Sequence, residues 1–505
     1  MGSITVGALQ CILADHDLLR EVVTPDGWVY RLTDPDELAT SYEQLDYYSK
    51  NIKQPAIFLC KGAAFDEKYL YEAVERGAKY YIAEKDYPDV KATGFIVSDE
   101  RRAMAAVAQA FYHFPDEKLQ LIGITGTKGK TTVNYFIHHI LQKAYPNQVG
   151  YLSTIDYCID GKTRHESALT TPESVDLYRM LAEAVAHDLK YLVMEVSSQA
   201  YKLNRVYGLE FEQGLFLNFT PDHIGPLEHP TMEDYFYCKR QLLHHSKHVL
   251  LHDDLPHLDL LKAEAQAFGG TVATYGFSEQ ADFTVRPLAD HAQNFQIFGR
   301  TREVPEIYES PLPGDFNQEN AAAAIIIARY LDVTPELIKE GLAQVEVPGR
   351  MMEYHLANGA PVYIDYAHNY DSLRRLLDYV ASEYPTRHIK LLIGATGNKG
   401  KSRRQGFAKA IEGRKLEVVF TADDPGTESP RAIAEEITAQ IKQPLASIFI
   451  EDREQAIRTL LEEATAADVV VLAGKGTDTS QIIGKQHVPY SGDHVIVEQF
   501  IEMND

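Results

Sequence analysis

A chain of 505 residues, 45% hydrophobic and 24% charged, is long enough for two to four globular cores and has no biased tract long enough to suggest disorder. Its 49 basic and 73 acidic residues leave a net charge of −24, which excludes a general nucleic-acid or bare membrane-surface binder, because phosphate backbones are captured by an excess of Lys and Arg. The four cysteines (Cys11, Cys60, Cys158 and Cys238) form no C-x-x-C pair and read as thiols of a reducing compartment.

The opening stretch MGSITVGALQ lacks a basic segment followed by an apolar one, and Val6 stands where a myristoylation signal needs Ser or Thr. The longest apolar run, AAAAIIIA at 321–328, falls far short of the ~20 residues of a membrane span, so a cytoplasmic protein with no membrane insertion is expected. Strand-like and helix-like segments alternate from PAIFLC (55–60) and YLYEAVERGAKYYIAE (69–84) onward, which predicts an α/β fold with mainly parallel sheets. Polar, proline-bearing FPDEKLQ (114–120) and VEVPGR (345–350) mark boundaries, giving three domains at 1–117, 118–347 and 348–505.

The second domain opens with a β-type run, LQLIGI (119–124), and an amphipathic helix, VNYFIHHILQKA (133–144), with Val133, Phe136, Ile137, Ile140 and Leu141 on one face. Between them TGTKGKTT supplies backbone N–H groups and a helix N-terminus for a phosphate. Lys130 is placed to reach the terminal phosphates and Thr131 to ligate Mg²⁺, although Ile124 occupies the first glycine's place in the strict motif. Further on, the strand YLVMEVSSQA (191–200) ends at Glu195, an arrangement suited to a magnesium ion or its water. His223 falls in a loop and Lys239 on a predicted helix.

A second glycine-lysine loop, ATGNKGKS (395–402), also follows a strand, IKLLIG (389–394), but its next segment RRQGFAKAIEG is basic and glycine-broken. Residue physics prefers the first loop and leaves the second open. A third stretch, AGKGTDTSQ (473–481), lacks the loop spacing.

The combination of TGTKGKTT, TTPES (170–174), MEVSSQA, TPDH, GDFNQENAAAA (314–324), VPGRMME (347–353) and VYIDYAHNYDSL (362–373) resembles the Mur ligases, which build the peptide stem of peptidoglycan by ATP-driven amide synthesis. The likeness covers nearly the whole chain, and TTPES, DYAHNYDSL and AGKGTDTSQIIG point to the branch that adds the third residue. It implies a central P-loop domain, a Rossmann-like C-terminal domain and a smaller N-terminal α/β domain for the UDP-linked substrate.

By position the resemblance assigns ATP to Thr125, Gly126, Thr127, Lys128, Gly129, Lys130, Thr131 and Thr132, with Asn317, Arg350 and Asp365 closing over the nucleotide. Glu195 and His223 would join Thr131 as magnesium ligands. Lys239 would carry a CO₂-derived carbamate, which turns a repelling cation into an oxygen donor. Thr170, Thr171, Ser197 and Arg205 would contact the UDP-muramoyl dipeptide. Ser49 would too, although the family's D-S-R pattern reads Tyr48, Ser49, Lys50 here, and Gly225 stands where relatives often have aspartate.

The implied reaction forms an acyl phosphate on a D-glutamate γ-carboxylate, which an amine then attacks. No protein nucleophile is required, and no Ser-His-Asp or catalytic-cysteine arrangement is expected. In related enzymes the loop at the place of 395–402 is not the ATP loop, so one nucleotide site is expected. The incoming amino acid is read from TADDPGTESP (421–430). Enzymes taking meso-diaminopimelate carry D-N-P-R there, with the arginine on the distal carboxylate. This chain has Asp423, Asp424, Pro425 and Gly426, and with Asp478 these suit a distal ammonium, hence L-lysine. The turn DDPG is equally a plain β-turn. Meso-diaminopimelate or another diamino acid, or a P-loop switch that hydrolyses ATP without consuming an amine, remain the alternatives. A monomer is expected.

Overall fold

The computed structural model describes residues 2–62, 65–225, 228–289, 293–299, 303–398 and 401–504. The first sheet has six strands in the spatial order Gly27–Val29, Leu19–Thr24, Thr93–Val97, Ala78–Ala83, Ala56–Leu59, Leu45–Asp46. The last four run parallel and the first two pair antiparallel, Leu19–Thr24 also lying antiparallel to Thr93–Val97. The helix Glu100–Phe111 starts where the Asp99 carboxylate accepts from the Arg102 N–H, and it buries a nearly continuous run from Ala103 to Ala108.

The second sheet has eleven strands. At its centre Val149–Leu152, Tyr191–Glu195, Gln120–Thr125, Phe211–Phe216, Ser246–His252 and Thr271–Gly276 lie side by side and parallel. Antiparallel hairpins extend both ends. The central strands are buried on both faces, as their continuous apolar runs require. Because the strands are parallel, Thr125, Glu195 and Phe216 all end at one edge, where α/β sheets bind ligands.

The third sheet runs Met352–His355, Pro361–Asp365, Asp468–Ala473, His388–Ile393, Leu416–Phe420, Ala446–Phe449, parallel except for its first pair. The carboxyl ends of its inner strands carry the segments DYAHN, AGKGTD, ATGN and TADDPG, so stretches far apart in sequence form one loop cluster. The segment expected to be a poor core helix is in fact the helix Ser402–Ile411, which buries Phe407, Ala408, Ala410 and Ile411. Its Arg404 is buried too, held by Glu428 at 2.9 Å and by Glu436. Among the described residues no helix is long and apolar enough to cross a membrane.

Candidate active site

The strand Gln120–Thr125 feeds a tight loop into the helix Lys130–Ala144. Gly129 sits at φ 83°, which favours glycine, and a Cβ there would crowd the tip of the Asn320 side chain at 2.8 Å. Lys130 curls back over its own loop, donating to the carbonyls of Gly126 (2.9 Å) and Thr127 (3.3 Å). Burial lowers its pKa, partly offset by Glu195. The Thr131 hydroxyl, one residue on, donates to Glu195 at 2.8 Å.

Glu195 is fully buried at the end of its strand, and its carboxylate is also held by Thr154, through the backbone N–H (2.8 Å) and the hydroxyl (2.9 Å). Thr154 was not anticipated; it sits in no motif, and nothing in the sequence marks it. Lys239 comes from the helix Met232–His244, which Thr231 caps by accepting from the Asp234 N–H. Its ammonium is buried and donates to the Gly126 carbonyl at 2.7 Å. Burial, then the charge of Lys130, push its pKa well below the ordinary lysine value. His223 sits at φ 56° with Nδ1 on Glu228 at 2.8 Å, which leaves Nε2 as its available atom. Glu195, Thr131, His223 and Lys239 all line one cleft of about 820 Å³.

The oxygen donors fit a hard divalent cation, since Glu195 and Thr131 present a carboxylate and a hydroxyl side by side. An ammonium at Lys239 does not fit. A carbamate at that nitrogen would fit, because it would supply oxygen in place of positive charge.

Asp222, in the TPDH motif, is the hub of a polar network between the second and third sheets. Lys128 lies 3.1 Å and Arg403 3.2 Å from its carboxylate, and Asn369 donates to it at 3.3 Å. Burial raises the pKa of Asp222, but Lys128 and Arg403 together pull it well below the usual carboxylate range. Lys128 also faces Nε2 of His368 at 3.0 Å, and Nδ1 of His368 donates to the Tyr366 carbonyl at 2.7 Å.

Beside this network a second cavity of about 210 Å³ is walled by Leu217, Phe219, Phe316, Asn317, Arg350 and Asp365, among others. Asn317 donates to the Pro313 carbonyl, while Asp365 accepts from the Met351 N–H at 3.0 Å and has Arg350 at 4.0 Å. These three expected residues therefore converge with Lys128, Gly129 and Thr132 around one cavity.

Thr170, Ser197 and Arg205 line the larger cleft, and the Thr171 hydroxyl behind them donates to the Glu195 carbonyl at 2.9 Å. Arg205 pairs with Glu173 at 3.0 Å, and Glu173 also takes Arg101 at 3.3 Å. Lys61, whose Nζ lies 3.8 Å from Glu173, stacks over the Tyr47 ring at 4.0 Å. Ser49 lies apart from these groups, buried and donating to Glu72 at 2.7 Å.

The acidic loop expected to meet the amino acid also holds a buried lysine. Lys475, almost wholly buried, reaches Asp424 (2.9 Å), Asp478 (3.3 Å) and Asp423 (3.8 Å). Burial lowers its pKa, but the three carboxylates raise it further, so it is held as a cation. Asp423 is buried at the base, and Asp478 is the member of the trio that lines the cleft, where it accepts from Tyr366 at 3.0 Å.

The second glycine-lysine loop packs against this loop. Gly397 N–H donates to the Asp424 carbonyl (2.8 Å) and Asn398 N–H to the Glu428 carboxylate (2.6 Å). A Cβ at Gly397 would lie 1.8 Å from the Pro425 carbonyl oxygen. The backbone donors of Gly397 and Asn398 are thus taken by the chain itself; Lys399 and Gly400 lie outside the described residues.

Residues 124–328 match the model of the Mur ligase middle domain, and residues 349–476 that of the Mur ligase glutamate ligase domain. The chain belongs to the Mur ligase family. The UDP-N-acetylmuramoyl-L-alanyl-D-glutamate--L-lysine ligase of Enterococcus faecalis is 43% identical over 99% of both chains. The ligase of the same name from Streptococcus thermophilus is 41% identical over 98% of each. A solved UDP-N-acetylmuramoyl-L-alanyl-D-glutamate--2,6-diaminopimelate ligase superposes with a TM-score of 0.65 over 94% of this chain and 97% of its own, at 24% identity, and so shares the fold.

Proposed function

We propose that this Mur ligase joins L-lysine to the D-glutamate γ-carboxylate of UDP-N-acetylmuramoyl-L-alanyl-D-glutamate, with ATP and Mg²⁺, in peptidoglycan synthesis. The observation that carries the proposal is the cleft uniting the phosphate loop, the Glu195 cluster, the Thr170–Ser197–Arg205 wall and Asp478. The choice of amino acid is supported by full-length relatives named for L-lysine and by Gly426 standing where the arginine for a distal carboxylate is expected.

In this reading residues 1–117 hold the uridine end of the substrate, 118–347 the nucleotide and 348–505 the amino acid. The nucleotide base lies in the smaller cavity, whose wall includes Phe219 and Phe316, with its phosphates on the N–H groups of residues 129–132 at the helix N-terminus, those of Thr127 and Lys128 being held by Asn218. Lys130 exchanges its loop carbonyls for phosphate oxygens and neutralises charge during transfer to the γ-carboxylate. Magnesium, when bound, neutralises phosphate oxygens; Thr131, Glu195, His223 and a carbamate on Lys239 are the residues that would hold it. Arg205 and Thr170 orient the dipeptide so that its carboxylate faces the phosphate loop. The network around Asp222 draws the third sheet over the cleft, placing the amine and excluding water from the acyl phosphate. In this reading the enzyme acts as a cytoplasmic monomer.

The test is phosphate release from ATP with Mg²⁺ and the UDP-muramoyl dipeptide, with L-lysine or meso-diaminopimelate in parallel. Release with L-lysine alone is expected. Release only with meso-diaminopimelate overturns the choice of amino acid, and amine-independent release overturns the ligase in favour of a nucleotide switch.

A further inference from the structure

The sequence gives no sign of a Ser-His-Asp arrangement, yet the fold assembles one at the cleft. The Ser198 hydroxyl lies 2.8 Å from Nε2 of His229, whose Nδ1 lies 2.6 Å from Asp234. Lys202 anchors the far end, donating to Asp234 and to the Glu228 carbonyl, both at 2.8 Å. Ser198 and His229 are buried, and Ser198 belongs to the cleft wall while His229 lies behind it. Cys238 completes a compact His-Asp-Cys group, but the Lys202 cation already occupies the Asp234 carboxylate, so the group works as a hydrogen-bond chain.

The chain has one polarity. Asp234, kept ionised by Lys202, only accepts, so Nδ1 of His229 carries the hydrogen. With the Nδ1 hydrogen committed to Asp234, Nε2 is the ring's acceptor, and the Ser198 hydroxyl donates inward to it. The single proton of Ser198 is thereby engaged behind the cleft wall to which Ser198 belongs, and its oxygen is left to accept. Phosphates and carboxylates need donors; a hydroxyl fixed as an acceptor suits an N–H group. The same cleft is lined by Thr477, Asp478, Thr479 and Ser480 of the third domain.

We propose that Ser198 accepts a hydrogen bond from the attacking amine of the incoming amino acid, with His229 and Asp234 as positioning residues that fix its acceptor state. This rests on the ligase reading above. An amine held through an N–H keeps its lone pair free to aim at the acyl carbon.

The test compares wild type, Ser198→Ala, His229→Gln and His229→Leu. It measures kcat, the KM for each substrate, and acyl-phosphate formation trapped with hydroxylamine in the absence of amino acid. Loss of one hydrogen bond predicts a roughly tenfold higher KM for L-lysine or a matching fall in kcat/KM in Ser198→Ala, with KM for the UDP-dipeptide and hydroxamate yield within about twofold of wild type. His229→Gln, which still offers an acceptor to the hydroxyl, retains most of the lysine affinity, and His229→Leu behaves like Ser198→Ala. An unchanged lysine KM and kcat in Ser198→Ala overturns the proposal. So does a defect confined to the UDP-dipeptide, which would assign the N–H to the dipeptide's amide, or a trapped seryl ester, which would make Ser198 a nucleophile. Hydroxamate yield falling in parallel with ligation also overturns it. Failure of wild type to consume any amine is a separate result and sinks the ligase reading itself.

Discussion

Lys128, inside the phosphate loop, and His368, in the DYAHN segment of the third domain, face each other at 3.0 Å. Two domains therefore meet on the loop proposed to hold the nucleotide, and Asp222 supplies negative charge between Lys128 and Arg403. Asp222→Ala leaves Lys128 and Arg403 partly buried together without a counter-ion. Breaking such a pair costs about 3–5 kcal/mol, and the domain contact should bear it. The expected outcome is a larger radius of gyration by small-angle scattering and a raised KM for ATP. A radius unchanged from wild type, with unchanged ATP affinity, would remove Asp222 from the closing mechanism.

The same network sets a pH dependence. Burial lowers the pKa of Lys128 from the ordinary lysine value to about 8, Asp222 opposing the shift and Arg403 adding to it. Below that pH Lys128 is a cation available to phosphate, and above it the charge is lost. Because kcat/KM reports the free enzyme, kcat/KM for ATP should bend downward above about pH 8. Lys128→Met should be lower throughout and flat across that window, while Lys128→Arg should move the bend upward. An identical bend in Lys128→Met would assign it to another group.

How much of this was legible in sequence follows from locality. The phosphate loop, Glu195 at a strand end and Lys239 on a helix are set by short-range pattern, and the fold delivers them to one edge because parallel strands share a direction. Asp222 and Lys475 lie in the segments TPDH and AGKGTDTSQ, but their partners Arg403 and Asp424 are 181 and 51 residues away, and only topology brings them together. Ser198–His229 spans 31 residues and no local pattern betrays it. The lysine inside the acidic DDPG cluster was hidden for the same reason: a carboxylate count in one loop cannot see Lys475 arriving from another strand.

Glu195 serves as scaffold and as charge, and the two roles are separable. Glu195→Gln keeps an oxygen to accept from Thr131 and the Thr154 N–H, so the melting temperature should stay near wild type. Removing the charge from the proposed magnesium site should lower kcat by about 10²–10³, the range for loss of one electrostatic group in a reaction centre. Magnesium titration should show weakened affinity in parallel. A variant that unfolds would make Glu195 chiefly structural.

Gly397 tests whether the second glycine-lysine loop has any part in holding ATP. A Cβ there collides with the Pro425 carbonyl oxygen, so Gly397→Ala must push the 423–426 turn away. The expected result is a higher KM for L-lysine with an unchanged KM for ATP. An effect on ATP alone would restore the loop as a nucleotide site.

Asp478 carries the remaining question of amino-acid choice. Lys475 neutralises part of the acidic cluster, and Asp423 and Asp424 lie on its inner side, Asp424 also accepting from the Ile482 N–H at 3.0 Å. Asp478 has a side chain 45% exposed and reaches the cleft, so it is the carboxylate placed to meet a distal ammonium. Asp478→Asn should raise the KM for L-lysine by about tenfold or more, because an ionic hydrogen bond contributes about 1.5–3 kcal/mol. Asp424→Asn should instead lower the melting temperature, since it leaves Lys475 with fewer counter-charges in a buried site. If Asp424→Asn raised the lysine KM while Asp478→Asn left it unchanged, the ammonium would be bound inside the turn, and Lys475 would have to move to admit it.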